Sequence, residues 1–276
     1  KADLLIACGM RFDDRVTGNT NTYSPDSKKI HIEIDPSEIN KNVPVDMALV
    51  GDLKLVLKTL LPHVTKKKNN KWLDKISEWH IESKSRDIIN TDTDMLYGAQ
   101  VISDLWKETN GNAIVVSDVG QHQMLEAQYY KHDEPNTLLT SGGLGTMGFS
   151  LPAAIGASFV DRGKDIWVIV GDGSIQMTIT ELATAVQENA NIKIAIINNG
   201  YLGMVRQWQQ LFYDSRYNET PISSPDYVKL SEAYGLKGYR VTSRQEISNV
   251  VKEAQKENGP VLIEFVVEQH DMVYPM

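Results

Sequence analysis

The sequence predicts an α/β protein made of two units of parallel sheet, and three observations predict it. Near-continuous apolar runs such as "AIVV" (113–116), "IWVIV" (166–170) and "IKIAII" (192–197) have the composition of strands covered on both faces. Between such runs, apolar residues recur at helical spacing, as Ile247, Val250, Val251 and Ala254 do. From 62 to 93 both patterns give way to Lys, Asn, Ser and Asp, which divides the chain into residues 1–61, a connector 62–93 and residues 94–276.

Taken in order, "LLIACG" (4–9), "KIHIEID" (29–35) and "ALVGD" (48–52) read as strands, and "LKLVLKTLL" (53–61) as a helix stopped by Pro62. The connector holds one helix around "KWLDKISEWHIESK". The second unit opens with the helix "YGAQVISDLWKET", which sets Val101, Leu105 and Trp106 on one side. Strands follow in "AIVVSDVG", "NTLLTSGG", "DIWVIVGDG", "IKIAIINN", "GYRVTS" and "GPVLIEFVVE", with helices between them. The helix expected at roughly 175–189 would bury Ile175, Ile179, Leu182 and Val186.

The 276 residues are 41% hydrophobic and 23% charged, an ordinary globular balance. A net charge of −8 and the absence of a basic stripe argue against a nucleic-acid partner. The basic cluster "KKK" (66–68) reads as solvated linker. No apolar run reaches the roughly 18 residues of a membrane span, so no membrane partner is expected. The single cysteine, Cys8, permits no disulfide within the chain, fits a reducing compartment and reads as a buried, inert thiol on a strand. The chain runs from "KADLLIACG" straight into a strand without an initiator Met, as expected of a part of a longer polypeptide.

Ligands of parallel α/β sheets sit at the carboxyl ends of the strands. Asp172, in Gly-Asp-Gly, and Asn199, in Asn-Asn, each stand just past such an end, joined by one crossover. One carboxylate, one amide oxygen and a main-chain carbonyl make a weak cage for a hard cation, but enough for Mg²⁺ completed by phosphate oxygens and water. Each dipeptide alone is ordinary turn chemistry. Together, with 24 residues between GDG and NN, they mark a metal-bridged diphosphate site.

At this spacing the chain resembles the thiamine diphosphate (ThDP) enzymes, and within them the acetohydroxyacid (acetolactate) synthase large subunits, along its whole length. The resemblance implies two Rossmann-like units: a partial middle, FAD-binding domain at 1–61, then a linker, then a complete ThDP pyrophosphate-binding domain at 94–276. It implies that Asp172, Asn199 and the carbonyl of Tyr201 hold Mg²⁺, with Gly173, Ser174, Leu202 and Gly203 beside the cofactor. In "SDVGQHQM" (117–124), Val119, Gly120, Gln121 and His122 would meet the diphosphate, and Gln123 and Met124 would border FAD. His122 on its own reads as a surface residue at a helix end. In "TSGGLGTMGFS" (140–150), the backbone at Gly145 would meet the aminopyrimidine, Met147 would bend the cofactor, and Gly142 and Gly143 would lie along FAD. On helix "GMVRQWQQLFY", Met204 and Trp208 would line the substrate channel; on spacing alone, Met204, Trp208 and Phe212 read as core. "GMRFDDRVTGN" (9–19) resembles the flavin loop, through Gly9, Met10, Arg11, Asp13, Arg15 and Val16, and Glu33, Ile34 and Asp52 would extend it.

What the resemblance implies is a transferase that decarboxylates pyruvate and condenses the product with pyruvate or 2-oxobutyrate. The products, 2-acetolactate and 2-aceto-2-hydroxybutyrate, open branched-chain amino-acid biosynthesis, and FAD would be structural. It places the activating glutamate in an N-terminal domain outside these residues, so no catalytic side chain is expected here, and this stretch alone should be inactive. It implies a homodimer or homotetramer through the ThDP site, a small regulatory subunit as a candidate partner, and a cytoplasmic location in bacteria or an organellar one in eukaryotes. Its rivals are another ThDP enzyme, a pyruvate oxidase or 2-oxo acid decarboxylase, and a non-catalytic cofactor-binding module. A dehydrogenase is disfavoured, because no G-x-G-x-x-G opens a helix with an acid about 20 residues on.

Overall fold

The computed structural model describes residues 2–160 and 163–273. The chain divides into two compact units, Lys1–Glu78 and Trp79–Met276.

The first unit is a three-stranded parallel sheet of β1 (Leu4–Cys8), β2 (Lys28–Glu33) and β3 (Met47–Val50), in that order. After β1 comes α1 (Asp14–Thr17), and after β3 comes α2 (Leu53–Leu60), prolonged by a 3₁₀ turn that takes in Pro62. Among the described residues Ala7, Phe12 and Val43 form its buried apolar cluster, with Leu5, Met10, Tyr23 and Val45 packed against it, and no residue of α2 is buried. Cys8 is exposed, not buried as its apolar neighbours suggest. Among the described residues it ends the outer strand of the sheet, β1, in which Ala7 is the buried residue. The connector's helix, α3 (Asn70–Arg86), includes the point where the two units divide.

The second unit continues as α4 (Gly98–Glu108), β4 (Ala113–Ser117), α5 (Gln121–Tyr129), β5 (Leu138–Thr140), α6 (Ser150–Val160), β6 (Asp165–Gly171), α7 (Asp172–Gln176), α8 (Leu182–Gln187), β7 (Ile192–Asn198), α9 (Gly203–Phe212), α10 (Tyr227–Tyr234), β8 (Lys237–Val241), α11 (Arg244–Lys256) and β9 (Val261–Val266). Its sheet has the order β5-β4-β6-β7-β9-β8, with every pairing parallel. Helices on both faces bury these strands, which is why their sequences are apolar without alternation. One apolar core sets α4 and α11 against Trp167, Ala195 and Ile263; the other sets α6 and Tyr227 against Val168, Ile194 and Leu262. Arg244 of α11 grips Asp104 of α4 with two nitrogens, at 2.7 and 3.0 Å, which ties the helices of the first core together.

The helix expected at 175–189 is broken into α7, a 3₁₀ turn (Ile179–Glu181) and α8. Thr178 sits at the break, where its hydroxyl donates to the carbonyl of Gly148 at 3.1 Å, so a tertiary bond replaces continued helix. Ile175 and Leu182 are buried all the same, with Ile179 and Val186 packed partly against the same core. No helix among the described residues is long and apolar enough to cross a membrane.

β5 leaves β4 on one side and β6 joins it on the other, so the strand order reverses between β4 and β6. A crevice opens at the carboxyl ends of such a pair. The opposite end of the sheet is closed by a lysine. Lys193 of β7 is 1% exposed, and its ammonium donates to Asn191 Oδ1 (2.6 Å) and to the carbonyls of Glu257 and Gly259 (both 2.8 Å). Burial lowers its pKa to about 8, although Asp165 and Glu257 pull the other way.

Lys193→Met strands these acceptors and should cost about 1–3 kcal/mol in urea denaturation at pH 7. In the folded state the group gives up its proton more readily than in the unfolded chain. Between about pH 8 and 10 the unfolded chain therefore binds more protons, and stability from this group rises with pH. The wild type's advantage should widen over that range, and a narrowing gap would contradict the assignment.

Candidate active site

A cavity lies at the predicted crevice, enclosing about 860 Å³ of empty space with the solvent at its mouth included. Its walls come from the turns after β4, β6, β7 and β9. Met147, Leu125, Ile197, Leu202 and Val205 make an apolar side, while Gln121, His122, Asp172 and Asn199 bring polar groups.

Asp172 is the first residue of α7 and 2% exposed. Its Oδ2 accepts from the N–H of Gly200 at 3.0 Å and from the Ser224 hydroxyl at 3.4 Å. Burial raises its carboxyl to about 6, against the lowering effect of these main-chain and hydroxyl donors. The Tyr227 hydroxyl, itself buried, donates to the Asp172 carbonyl at 3.1 Å and anchors the turn from below. Asn199 Oδ1 accepts from Tyr201 N–H at 3.1 Å, and its Nδ2 donates to Gln121 Oε1 at 3.1 Å. The acid and the amide at the ends of adjacent strands thus face one cavity, with Tyr201 beside them. Among the described residues no cluster of three or more His, Cys, Asp or Glu could hold a metal. The donor set is one carboxylate with neutral oxygens, which suits Mg²⁺ only with phosphate and water completing its shell.

His122 is a buried wall of this cavity, not a surface residue. Its ring fits because position 171 is glycine: a Cβ there would lie 2.8 Å from His122 Nδ1. The first glycine of Gly-Asp-Gly is therefore demanded by a side chain from another strand end. Burial lowers the imidazole to about 4, with Asp118 opposing, so the ring is neutral at ordinary pH. Its Nε2 is buried without a protein partner. An orphaned polar nitrogen in the wall of a cavity fits a polar ligand group, as a diphosphate oxygen is.

Other sequence-selected residues fall as follows. Val119, Gly120, Gly173, Ser174, Leu202, Gly203 and Met204 line the cavity, as do Gln121 and Met147. Ser174 Oγ donates to Val119 O at 3.0 Å, tying two of these turns together. Gly145 has φ +65°, which favours glycine. Gln123 donates to Thr140 Oγ1 at 2.8 Å, and Met124 packs partly on the core. A Cβ at Gly142 or Gly143 would meet open space, so nothing in this chain's packing demands glycine at either position. Along α9 the stripe of Met204, Trp208 and Phe212 is not core: Trp208 is 44% exposed and Phe212 72%. The residues α9 buries are Arg206 and Gln207. Arg206 is held between the rings of Tyr201 and Tyr217, at 5.3 and 4.8 Å.

In the first unit, Gly9, Ile34 and Asp52 follow the carboxyl ends of the three strands, where a parallel sheet takes ligands. Met10 O accepts from His31 Nε2 at 2.7 Å, if that nitrogen carries the proton. Asp13 caps α1 and pairs with Arg11 at 3.2 Å, while Arg15 pairs with Asp14. Glu33 accepts from the N–H groups of Ile34 and Asp35, and Asp52 from that of Leu55. Val16 and Ile34 are exposed. Position at the strand ends fits a dinucleotide; the hydrogen bonds by themselves are those of turns and caps.

Asp118 escaped the sequence reading. Fully buried, it accepts from Val119 N–H at 2.8 Å, Gly148 N–H at 2.9 Å and Ser150 N–H at 2.8 Å. It clamps the glycine-rich loop to the end of β4. The available signal was an acid directly after an apolar run.

The descriptions matched by the chain are "thiamine pyrophosphate enzyme, C-terminal TPP binding domain" over residues 118–265 and "thiamine pyrophosphate enzyme, central domain" over 1–60. All of the chain aligns with the acetolactate synthase large subunit of Corynebacterium glutamicum at 46% identity, covering 46% of that protein. It aligns likewise with acetolactate synthase of Mycobacterium leprae at 44%, covering 46%, and with the isozyme 3 large subunit of Escherichia coli at 41%, covering 50%. The chain thus spans about half the length of the curated relatives it matches.

Asp118→Ala removes the acceptor of three N–H groups, two of them in the glycine-rich loop. It should lower stability by about 2–4 kcal/mol. Amide exchange at Gly148 and Ser150 should quicken more than exchange in β7. Uniform quickening would contradict a local clamp.

Proposed function

The chain belongs to the thiamine pyrophosphate enzymes, and we propose that it is part of an acetolactate synthase catalytic subunit. In this reading pyruvate loses CO₂, and its two-carbon remainder joins a second 2-oxo acid. Pyruvate as acceptor gives 2-acetolactate, and 2-oxobutyrate gives 2-aceto-2-hydroxybutyrate. The observation that carries the reading is the meeting of Asp172 and Asn199 in one cavity within a chain wholly alignable to acetolactate synthases.

When bound, thiamine diphosphate supplies the electron sink for decarboxylation. This chain's part is binding and orientation. Asp172, Asn199 and the Tyr201 carbonyl would hold Mg²⁺, and Gln121 and His122 would face the diphosphate. Met147, Leu202 and Val205 line the cavity and would give the organic part of the cofactor an apolar wall. Met204, a wall residue, and Trp208, farther along α9, are proposed to select the second substrate. Cofactor activation is assigned to a glutamate outside these residues, brought by a second subunit in a homodimer or homotetramer. The strand-end loop from Gly9 to Val16, with Glu33, Ile34 and Asp52, is proposed to bind FAD in a structural role, and so are Gln123, Met124, Gly142 and Gly143. A bacterial biosynthetic enzyme of this kind would work in the cytoplasm.

Asp172→Ala should weaken Mg²⁺-dependent ThDP binding by more than the roughly 10–100-fold typical of an outer-shell change. Calorimetric titration with Mg²⁺ or EDTA reads this directly, and unchanged affinity would remove the metal assignment. Trp208→Leu in the full-length enzyme should alter the ratio of the two products in a competition assay while ThDP affinity holds. An unaltered ratio would remove the channel assignment.

A further inference from the structure

Asparagine is an ambiguous metal ligand. Its amide oxygen and nitrogen have the same shape, and only hydrogen bonds decide which end faces a cation. On the reading that Asn199 ligates Mg²⁺, something must fix that polarity. We propose that Gln207, a buried residue of α9, is a positioning residue that sets the orientation of the Asn199 amide through Gln121.

The ladder starts from main chain, whose polarity cannot be reversed. Gln207 Nε2 donates to Val273 O at 2.7 Å, and Gln207 Oε1 accepts from Val273 N–H at 2.9 Å. That pair of bonds fixes which end of the Gln207 amide is oxygen. The same Oε1 accepts from Gln121 Nε2 at 2.8 Å, which also reaches Asp271 O at a longer 3.3 Å. Gln121 must then present Oε1 to Asn199, whose Nδ2 donates to it at 3.1 Å. The Asn199 oxygen is left on the side where Tyr201 N–H approaches at 3.1 Å. Turning the Asn199 amide over would set oxygen against Gln121 Oε1 and NH₂ against Tyr201 N–H, two repulsions at once. Gln207 is 4% exposed and Val273 3%, so water cannot easily replace a lost rung. Position 203 keeps the ladder's path open: a Cβ there would lie 2.0 Å from Gln121 Oε1 and 2.9 Å from Asn199 Nδ2.

The test titrates MgCl₂ into metal-stripped holoenzyme saturated with ThDP, with melting of each metal-free protein alongside. Gln207→Met keeps length and apolar packing but removes the rung, and should weaken Mg²⁺ on the order of 10-fold. The deciding background is Asn199→Asp, whose carboxylate has two equivalent oxygens and no polarity to set. There Gln207→Met frees Gln121 to turn its NH₂ toward the carboxylate, and Mg²⁺ affinity should not fall. An equal loss in both backgrounds, or no loss in the wild type, would overturn the proposal. If Gln207→Met does not fold, Gln121→Met breaks the ladder one rung nearer the metal; its loss in the Asn199→Asp background measures its diphosphate contact, and only the excess loss beside Asn199 reads the ladder. Asp172→Ala separates the premise from the proposal. If it leaves Mg²⁺ affinity intact, the metal reading fails, and the ladder's role falls with it whatever Gln207→Met does.

Discussion

A sheet buried on both faces gathers its polar chemistry at the ends of its strands, and the second unit is organised by that constraint. Apart from Lys193, Glu264 and residues at their ends, its central strands are apolar. Acids and amides therefore gather where β4, β6 and β7 stop, and each buried one needs donors or acceptors from a neighbouring turn. Asp118 finds them in the glycine-rich loop and Asp172 in the turn after β7. Gln121 finds them in α9 and in the segment after β9. The cavity is what these mutual demands leave between them.

The demands also show what could be read in the sequence. Gly-Asp-Gly and Asn-Asn stood out because polar residues ended apolar runs, and the parallel sheet followed from the same runs. The partners of those polar residues were hidden, since they are distant in sequence. Nothing near His122 announces that Gly171, some fifty residues on, opens room for its ring. Nothing near Asp118 points to Gly148. Periodicity misled in two places for related reasons. Ile175, Ile179, Leu182 and Val186 keep helical spacing, yet a bond from Thr178 to the glycine-rich loop breaks the helix. Met204, Trp208 and Phe212 also keep it, yet α9 buries Arg206 and Gln207 instead, because a stacked guanidinium and a satisfied amide can be covered at little cost. Cys8 misled because strand composition carries no mark of a sheet edge.

The first unit shows the opposite limit. Its motif is rich in charge, and the structure gives nearly every charge a local use: Asp13 and Asp52 as helix caps, Glu33 as a turn acceptor, the arginines in exposed pairs. Exposed pairs contribute little stability. Stability alone therefore gives little reason for two arginines in this loop, whereas a ligand with phosphates would.

The choice of an amide opposite Asp172 follows from the burial of that acid. Its carboxyl already lies near 6 with main-chain and hydroxyl donors helping the charged form. A second carboxylate across the crevice would drive one of the pair further toward protonation, since like charges at close range cannot both ionise. On the proposed Mg²⁺ reading the site would then present a proton where a cation belongs. An asparagine supplies oxygen without charge and leaves Asp172 free to ionise at neutral pH. What it introduces is the question of which end points inward. The Tyr201 N–H favours one polarity at Asn199, and the amides behind it must agree with that choice. Anchoring the last amide to both polar atoms of the Val273 main chain holds Gln121 to the same polarity, so on the proposed reading the segment after β9 steadies the Asn199 amide through two side chains.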